Sequence, residues 1–242
     1  MKVLAIIPAF NEERSLAGVV SAVRRASPGI DVCVVDDGSM DSTARVARGL
    51  GVVLLSNPIN LGIGGAMQAG YLWARDHGYD AAVQVDGDGQ HDPSFLPALL
   101  EPLASGRAGL VVGSRFLASE RGGFRSTRIR RAGIRYLSWA LLLRCGARVT
   151  DPTSGFRAGS RAVIELFAAT YPSDYPEPES IALAAGRGIS VVEVPVKMSK
   201  REHGQSSITP LRTIYYLVKV TLALALLPGI AVARAAQAET RK

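Results

Sequence analysis

Between Lys2 and Gly113, short apolar runs alternate with longer segments whose apolar residues fall three and four apart. Lys2–Pro8 is the first run, and its lack of polar alternation is the pattern of a strand covered on both faces in a parallel sheet. Glu12–Ser27 follows, with Leu16, Val19, Val20 and Val23 on one helical face and a stop at Pro28-Gly29. The same reading predicts strands at Ile30–Val35, Val52–Ser56, Asp80–Val85 and Leu110–Gly113. It predicts helices at Ser42–Leu50 and Ala66–His77, and a further one running from an Asp92-Pro93 cap to Ala104. A βαβαβαβ succession of this kind makes a doubly wound α/β sheet with helices on both faces. Its ligands bind at the carboxyl ends of the strands.

The pattern loosens beyond Arg115. Ile129–Leu143 reads as a basic amphipathic helix, Ile189–Val196 as a late strand, and Ser199–Ser207 as a polar connection. Thr213–Val232 is almost wholly apolar, interrupted by Lys219 and Pro228-Gly229. A bilayer span needs about 20 apolar residues, so this run is of marginal length. It is read as a membrane-inserted or interfacial helix, with a packed C-terminal helix as the alternative. The expected division is a catalytic domain at 1–207 and a membrane-associating tail at 208–242.

The chain has 242 residues, enough for one large domain, and a net charge of +7 that calls for anionic partners. Much of the excess is local: Arg121, Arg125, Arg128, Arg130, Arg131 and Arg135 follow one another with no acid between them. Aromatics for base stacking are sparse there and no nucleic-acid motif is present, so nucleic acid is not an expected partner. With 2 cysteines, Cys33 and Cys145, neither a disulfide framework nor a zinc site is expected. The first apolar run breaks at Pro8, too soon for a secretory signal, and the expected location is the cytoplasmic face of a membrane.

Acidic clusters close three of the predicted strands. They are Asn11-Glu12-Glu13 after the first, Asp36-Asp37-Gly38-Ser39 after the second, and Asp86-Gly87-Asp88-Gly89-Gln90-His91 after the fourth. Gathered in one crevice, such like charges repel unless a cation or a basic ligand is present. Asp86-Gly87-Asp88 suits Mg²⁺ or Mn²⁺, whose hard-oxygen sites commonly take one or two carboxylates and complete the shell with phosphate and water. Gly87 lets the backbone turn and a phosphate approach, and Gln90 is placed to orient a ligand or a metal-bound water. His91 is expected to pack at the start of the next helix, with a ligand role as the alternative. Asn60-Leu61-Gly62-Ile63-Gly64-Gly65-Ala66 opens a helix in a way that suits phosphate or a sugar hydroxyl. It lacks both the third glycine of a dinucleotide fingerprint, where Met67 stands, and the Gly-Lys-Ser/Thr of a P-loop.

Pro8-Ala9-Phe10-Asn11-Glu12-Glu13, Asp36–Thr43, Asp86–Pro93, Gly113-Ser114-Arg115-Phe116 and Asp151-Pro152-Thr153-Ser154-Gly155-Phe156-Arg157 occur in one order. That order and spacing resemble the family 2 glycosyltransferases. The likeness is to the branch of dolichol-phosphate mannosyltransferases and bacterial polyprenyl-phosphate glycosyltransferases, and it runs from about Lys2 to Ser207. The resemblance implies a GT-A fold: a Rossmann-like, mixed but mostly parallel sheet that binds a nucleotide sugar. It implies that Pro8, Phe10, Glu12, Asp36 and Asp37 hold the base and ribose of a UDP- or GDP-linked donor. Asp86, Gly87, Asp88 and Gln90 would meet the diphosphate through the metal, and Arg115 would contact phosphate. Arg201 matches the arginine of a late Arg-x-x-Gly-x-Ser-Lys element, in which Ser207 replaces the lysine; Lys197 or Lys200 is the available substitute.

The activity so implied is an inverting, metal-dependent transfer of a sugar to a polyprenyl phosphate. A phosphate monoester is already largely doubly ionised at pH 7 and needs no general base. Its cations would be Arg115, Arg201 and the Arg121–Arg135 run, for which a membrane contact or a solvated helix face is the alternative. If the acceptor is instead a sugar hydroxyl, Glu179 is the candidate base; otherwise Glu177 and Glu179 position a loop or cap a helix starting near Ser180. The expected catalytic set is therefore Asp88, Arg115 and Glu179. A non-catalytic nucleotide-sugar or membrane binder is the distant alternative. An accessory membrane subunit or a homo-oligomer is compatible with so short a tail.

Overall fold

The computed structural model describes residues 1–117, 128–199 and 210–227. Its centre is a seven-stranded sheet in the order β3-β2-β1-β4-β6-β5-β7. The strands are β1 (Val3–Ala9), β2 (Asp31–Asp36), β3 (Val53–Ser56), β4 (Ala81–Gln84), β5 (Leu110–Ser114), β6 (Arg157–Ser160) and β7 (Val191–Pro195). β6 runs antiparallel to β4 and β5, and every other pairing is parallel. The chain winds outward from β1 through β2 to β3, then returns to lay β4 on the other side of β1. That reversal opens a crevice between the ends of β1 and β4.

β1 shows why an unalternating apolar run becomes a central strand. Leu4 and Ile6 enter one core beside Met67, Tyr71 and Phe167, while Ala5 and Ile7 enter the other beside Leu16, Val20, Leu96 and Leu99. Fully burying one such aliphatic side chain contributes about 1.5–3 kcal/mol, so both faces of the strand stabilise its place in the sheet. The helices α1 (Leu16–Ala26), α2 (Thr43–Gly49) and α4 (Leu96–Ala104) belong to the second core, which covers one face. The first core, on the opposite face, takes in α3 (Gly62–Asp76), α5 (Arg128–Cys145), α6 (Arg161–Ala169), α7 (Pro176–Gly186) and α8 (Pro210–Leu226). Before α4 comes a 3-10 turn, Pro93–Phe95, capped as expected by Asp92, whose carboxylate accepts the N–H of Ser94 at 3.0 Å.

Three elements are new relative to the sequence reading: β6, α6 and the true start of α7. β6 reads Arg-Ala-Gly-Ser and has no strand signature, yet it is inserted as a buried strand. α7 begins at Pro176 after Tyr175 in the left-handed region (φ 53°), so Glu177 and Glu179 lie in its first turn rather than ahead of it. α8 packs against the body: Val220 and Leu224 are buried, and Arg144 donates to the carbonyls of Leu224 and Leu227 at its end, at 2.9 and 2.7 Å. Among the described residues no helix is long and apolar enough to cross a membrane. The expected boundary at 207/208 lies outside the described residues.

Candidate active site

The loops after β1 and β2 are laced together. Asn11 takes a left-handed conformation (φ 58°), which asparagine tolerates better than most residues. Its N–H donates to the Ser39 hydroxyl at 2.9 Å while its side-chain oxygen accepts the N–H of Met40 at 2.9 Å. Glu12 N–H donates to the Thr43 hydroxyl at 2.8 Å, Glu13 N–H to Asp41 at 3.2 Å, and Ser42 N–H to Glu13 at 2.9 Å. The Glu12 carboxylate accepts from the Ser15 hydroxyl at 2.8 Å. Asp36 is buried and accepts the N–H of Ser39 at 3.2 Å.

Asp37 has a task that the sequence did not reveal. Its Oδ1 accepts from the Asn57 amide at 2.8 Å and the Leu61 N–H at 2.9 Å, and its Oδ2 accepts the Gly62 N–H at 2.8 Å. The carboxylate therefore sits on the positive end of α3, where a negative group is favoured. Gly64 N–H donates to the Ser173 carbonyl at 3.2 Å, and a Cβ on Gly64 would stand 2.1 Å from the Pro172 carbonyl oxygen. The glycine expected to cradle phosphate is thus a close contact between α3 and the 172–173 backbone. The helix end is already supplied with an anion by Asp37.

After β4 the chain turns against β1. Gly87 N–H donates to the Pro8 carbonyl at 3.3 Å, and a Cβ there would come within 3.0 Å of that oxygen. Asp86 Oδ1 accepts from the buried Gln84 amide at 2.9 Å. His91 packs where expected, stacked on Phe156 with ring centroids 4.8 Å apart. Its Nδ1 accepts the Asp86 N–H at 3.0 Å and its Nε2 lies 3.4 Å from Asp86 Oδ2, which is the arrangement of a neutral ring. Burial holds the His91 pKa below the usual value, opposed by the charges of Asp86 and Asp88. Asp88 accepts the Gln90 N–H at 2.9 Å, and the Gln90 carbonyl accepts the N–H of Ser199, tying the segment after β7 to this turn.

A cleft of about 380 Å³ opens where these loops meet. Pro8, Phe10 and Glu12 line it from β1, Asp37 from β2, and Asp86, Gly87 and Asp88 from β4, with Asn60, Gly62 and Ile63 as the α3 lip. Seven of the expected donor-site residues thus share one concavity. Asp36 is buried and Gln90 borders Asp88; neither lines it. Among the described residues no three His, Cys, Asp or Glu side chains form a closed metal cage. Two hard carboxylates on an open cleft instead fit a divalent ion that takes its remaining ligands from phosphate and water.

The other expected residues stand apart from the cleft lining. Arg115, next after β5, is almost buried and forms a two-pronged ion pair with Asp151, with Nε–Oδ2 and Nη2–Oδ1 both at 2.6 Å. Glu179 is half-buried with Lys219 and Asp174 as its charged neighbours, and burial raises its pKa. Glu177 is the α7 carboxylate whose electrostatic surroundings include Asp86 and Arg115; burial raises its pKa while Arg157 opposes the rise. Arg201 lies outside the described residues. Arg157, quoted in the sequence motif without a role, is wholly buried and donates to the Ser154 carbonyl (Nε, 3.1 Å), the Glu177 carbonyl (3.0 Å) and the Ser180 hydroxyl (2.6 Å). Gln84 and Glu193 escaped the sequence reading altogether. Gln84 ends an apolar run and Glu193 interrupts one, and a lone polar residue in such a run is the signal that a hydrogen-bond partner awaits it.

A doubly wound sheet whose switch-point cleft gathers carboxylates around an open Asp-Gly-Asp turn is the architecture of a GT-A transferase. The chain belongs to glycosyl transferase family 2, which residues 4–167 match. It is 35% identical to the undecaprenyl-phosphate mannosyltransferase of Micrococcus luteus over 222 residues, covering 86% of this chain and 88% of that protein. It is 32% identical to the polyprenol monophosphomannose synthase of Mycolicibacterium smegmatis over 220 residues, covering 86% and 81%. Among solved structures, glucosyl-3-phosphoglycerate synthase from Mycobacterium tuberculosis, crystallised with Mn²⁺, UDP and glucosyl-3-phosphoglycerate, superposes with a TM-score of 0.71. That alignment is 24% identical and covers 93% of this chain and 78% of the other.

Proposed function

We propose that this glycosyltransferase moves a sugar, with inversion, from a UDP- or GDP-linked donor to a polyprenyl phosphate, using Mg²⁺ or Mn²⁺. The observation that carries the reading is the single cleft in which Asp86 and Asp88 meet Glu12 and Asp37. The polyprenyl-phosphate enzymes named above support the acceptor, and the synthase crystallised with Mn²⁺ and UDP supports the metal and donor.

Pro8, Phe10 and Glu12 form the wall against which base and ribose would rest. Asp86 and Asp88 would hold the divalent ion, which when bound neutralises charge on the departing nucleoside diphosphate. A phosphate acceptor arrives already ionised, so the protein must supply cations rather than a base. Arg115, held by Asp151, is the cation proposed for that purpose among the described residues.

The membrane is the proposed working surface, at its cytoplasmic face. Tyr136, Trp139 and Leu143 on α5 and Tyr215, Val218 and Leu222 on α8 are exposed, flanked on α5 by exposed Arg131 and Arg135. Apolar and aromatic side chains beside arginines suit the boundary of an anionic bilayer. For a sugar hydroxyl acceptor the candidate base is Glu179, which is not among the residues lining the cleft.

The test is a purified-protein assay with labelled nucleotide sugars, offering a short polyprenyl phosphate and simple sugars as competing acceptors. Label in the lipid fraction, abolished by EDTA and by Asp88→Ala, is the expected result. Label passing to the sugars alone would overturn the acceptor, and transfer undiminished by Asp88→Ala would overturn the site.

A further inference from the structure

Glu193 lies on the edge strand β7, opposite Val112 of β5, yet its carboxylate serves neither strand. Its Oε1 accepts the Asp151 N–H at 2.8 Å, and its Oε2 accepts the N–H and the hydroxyl of Thr150 at 2.7 and 2.9 Å. The Thr150 hydroxyl in turn meets the Ser114 hydroxyl at 2.8 Å. Asp151, fully buried, carries the constraint onward. Its Oδ2 accepts the backbone N–H of Arg115 at 3.1 Å as well as Nε–H, and its Oδ1 accepts Nη2 and the Thr153 hydroxyl, the latter at 3.1 Å. Thr153 also accepts from Arg115 Nη2 at 2.7 Å.

One guanidinium is neutralised by one carboxylate, so Glu193 is not there to balance the charge of Arg115. It fixes two consecutive backbone amides, and those fix the carboxylate that grips the arginine. A free arginine side chain has many rotamers and loses about 2 kcal/mol of conformational freedom when held. Here the holding is done before any ligand arrives. β5 is parallel to β4, both being antiparallel to the β6 between them, so Arg115 leaves the sheet at the same, carboxyl end of the strands as Asp86. Two strand spacings, about 10 Å, separate the two strands, with the 151–156 segment between. Gly155 of that segment passes so close that a Cβ on it would stand 3.6 Å from Asp86 Oδ2.

We propose that Glu193 is a positioning residue for transfer: acting through Asp151, it sets the guanidinium of Arg115 on the acceptor side of the cleft. The proposal deepens the lipid-phosphate reading and rests on it for the identity of the acceptor. Group positioning of this kind is worth about 10- to 100-fold in activity when the supporting shell is removed.

The experiment compares wild type, Glu193→Gln and Glu193→Asp by transfer kinetics to a short polyprenyl phosphate, UDP and GDP binding with Mn²⁺ by calorimetry, and thermal unfolding. The solvent exchange of the Arg115 Nε–H is followed by NMR in the same proteins. Glu193→Gln is expected to raise the acceptor KM or lower kcat by about tenfold, with nucleotide affinity unchanged and an unprotected Arg115 Nε–H. Glu193→Asp, which keeps the charge, recovers part of both. If Glu193→Gln lowers the melting temperature while Nε–H protection and acceptor kinetics stay as in wild type, the carboxylate is a structural cap and the proposal is overturned. Where wild type transfers nothing to polyprenyl phosphate, the acceptor reading fails by itself. The NMR comparison then still decides whether Glu193 positions Arg115.

Discussion

Removing the Asp37 carboxylate should unfasten the start of α3, and the structure gives the size of the effect. Three donors converge on it: the Asn57 amide and Leu61 N–H on Oδ1, and Gly62 N–H on Oδ2. Leaving a buried donor unsatisfied costs about 1–3 kcal/mol. Asp37→Ala takes an acceptor from all three, but the Gly62 N–H retains the Asn60 side-chain oxygen at 2.9 Å, and water can enter from the cleft that Asp37 lines. The loss is then near the low end for each donor, about 3 kcal/mol in total. In a chain of this length that lowers Tm by about 6–12 °C. Asp37→Asn differs in kind: a carbonyl at the Oδ1 position keeps Asn57 and Leu61, and only Gly62 faces a repelling amide, for a cost of about 1 kcal/mol. Equilibrium urea unfolding of the three proteins, without nucleotide, measures both numbers. An alanine variant as stable as wild type, or an asparagine variant as unstable as alanine, would refute the assignment of Asp37 as the anchor of α3.

Gly64→Ala drives a methyl into the Pro172 and Ser173 carbonyls and should destabilise by about 3 kcal/mol. Gly18→Ala, in an exposed part of α1 with open space around it, should stabilise by about 0.5–1 kcal/mol in the same urea titration. Burial depresses the pKa of His91, where it faces Asp86, Asp88, Arg115 and Arg157, so the unfolded chain takes up its proton first. Stability is complete above the unfolded value of about 6.5 and is lost as pH falls from there toward the lower folded value, at up to about 1.4 kcal/mol per pH unit. Urea midpoints at pH 7.5 and 5.5 in EDTA should show that slope in wild type and lack it in His91→Gln. Burial pushes the Cys33 thiol up to about 12, so a thiol reagent at pH 8 should leave it unmodified until the protein unfolds.

The first half of the fold was legible because β1, β2 and β4 are buried on both faces, which leaves continuous apolar runs such as Lys2–Pro8. It was also legible because its helices carry clear three-and-four spacing. The acidic clusters that end those strands announced the cleft, and Asp86, Asp88, Glu12 and Asp37 converge there. β6 was illegible since Arg-Ala-Gly-Ser carries no strand propensity and stands only because tertiary partners accept a buried arginine. The start of α7 was hidden by Pro176 and Pro178, which punctuate a sequence yet fit a first helical turn. The relay from Glu193 through Asp151 to Arg115 joins residues far apart in the chain, a relation that spacing along one sequence does not encode.

The lacing between the loops after β1 and β2 has a consequence for anyone who would retune this enzyme. Each loop supplies donors and acceptors to the other, so neither holds its shape alone. Exchanging the Phe10–Glu13 segment with that of a relative of different donor preference would leave its mate, Ser39–Thr43, with mismatched partners. Donor preference should therefore transplant only when both segments travel together.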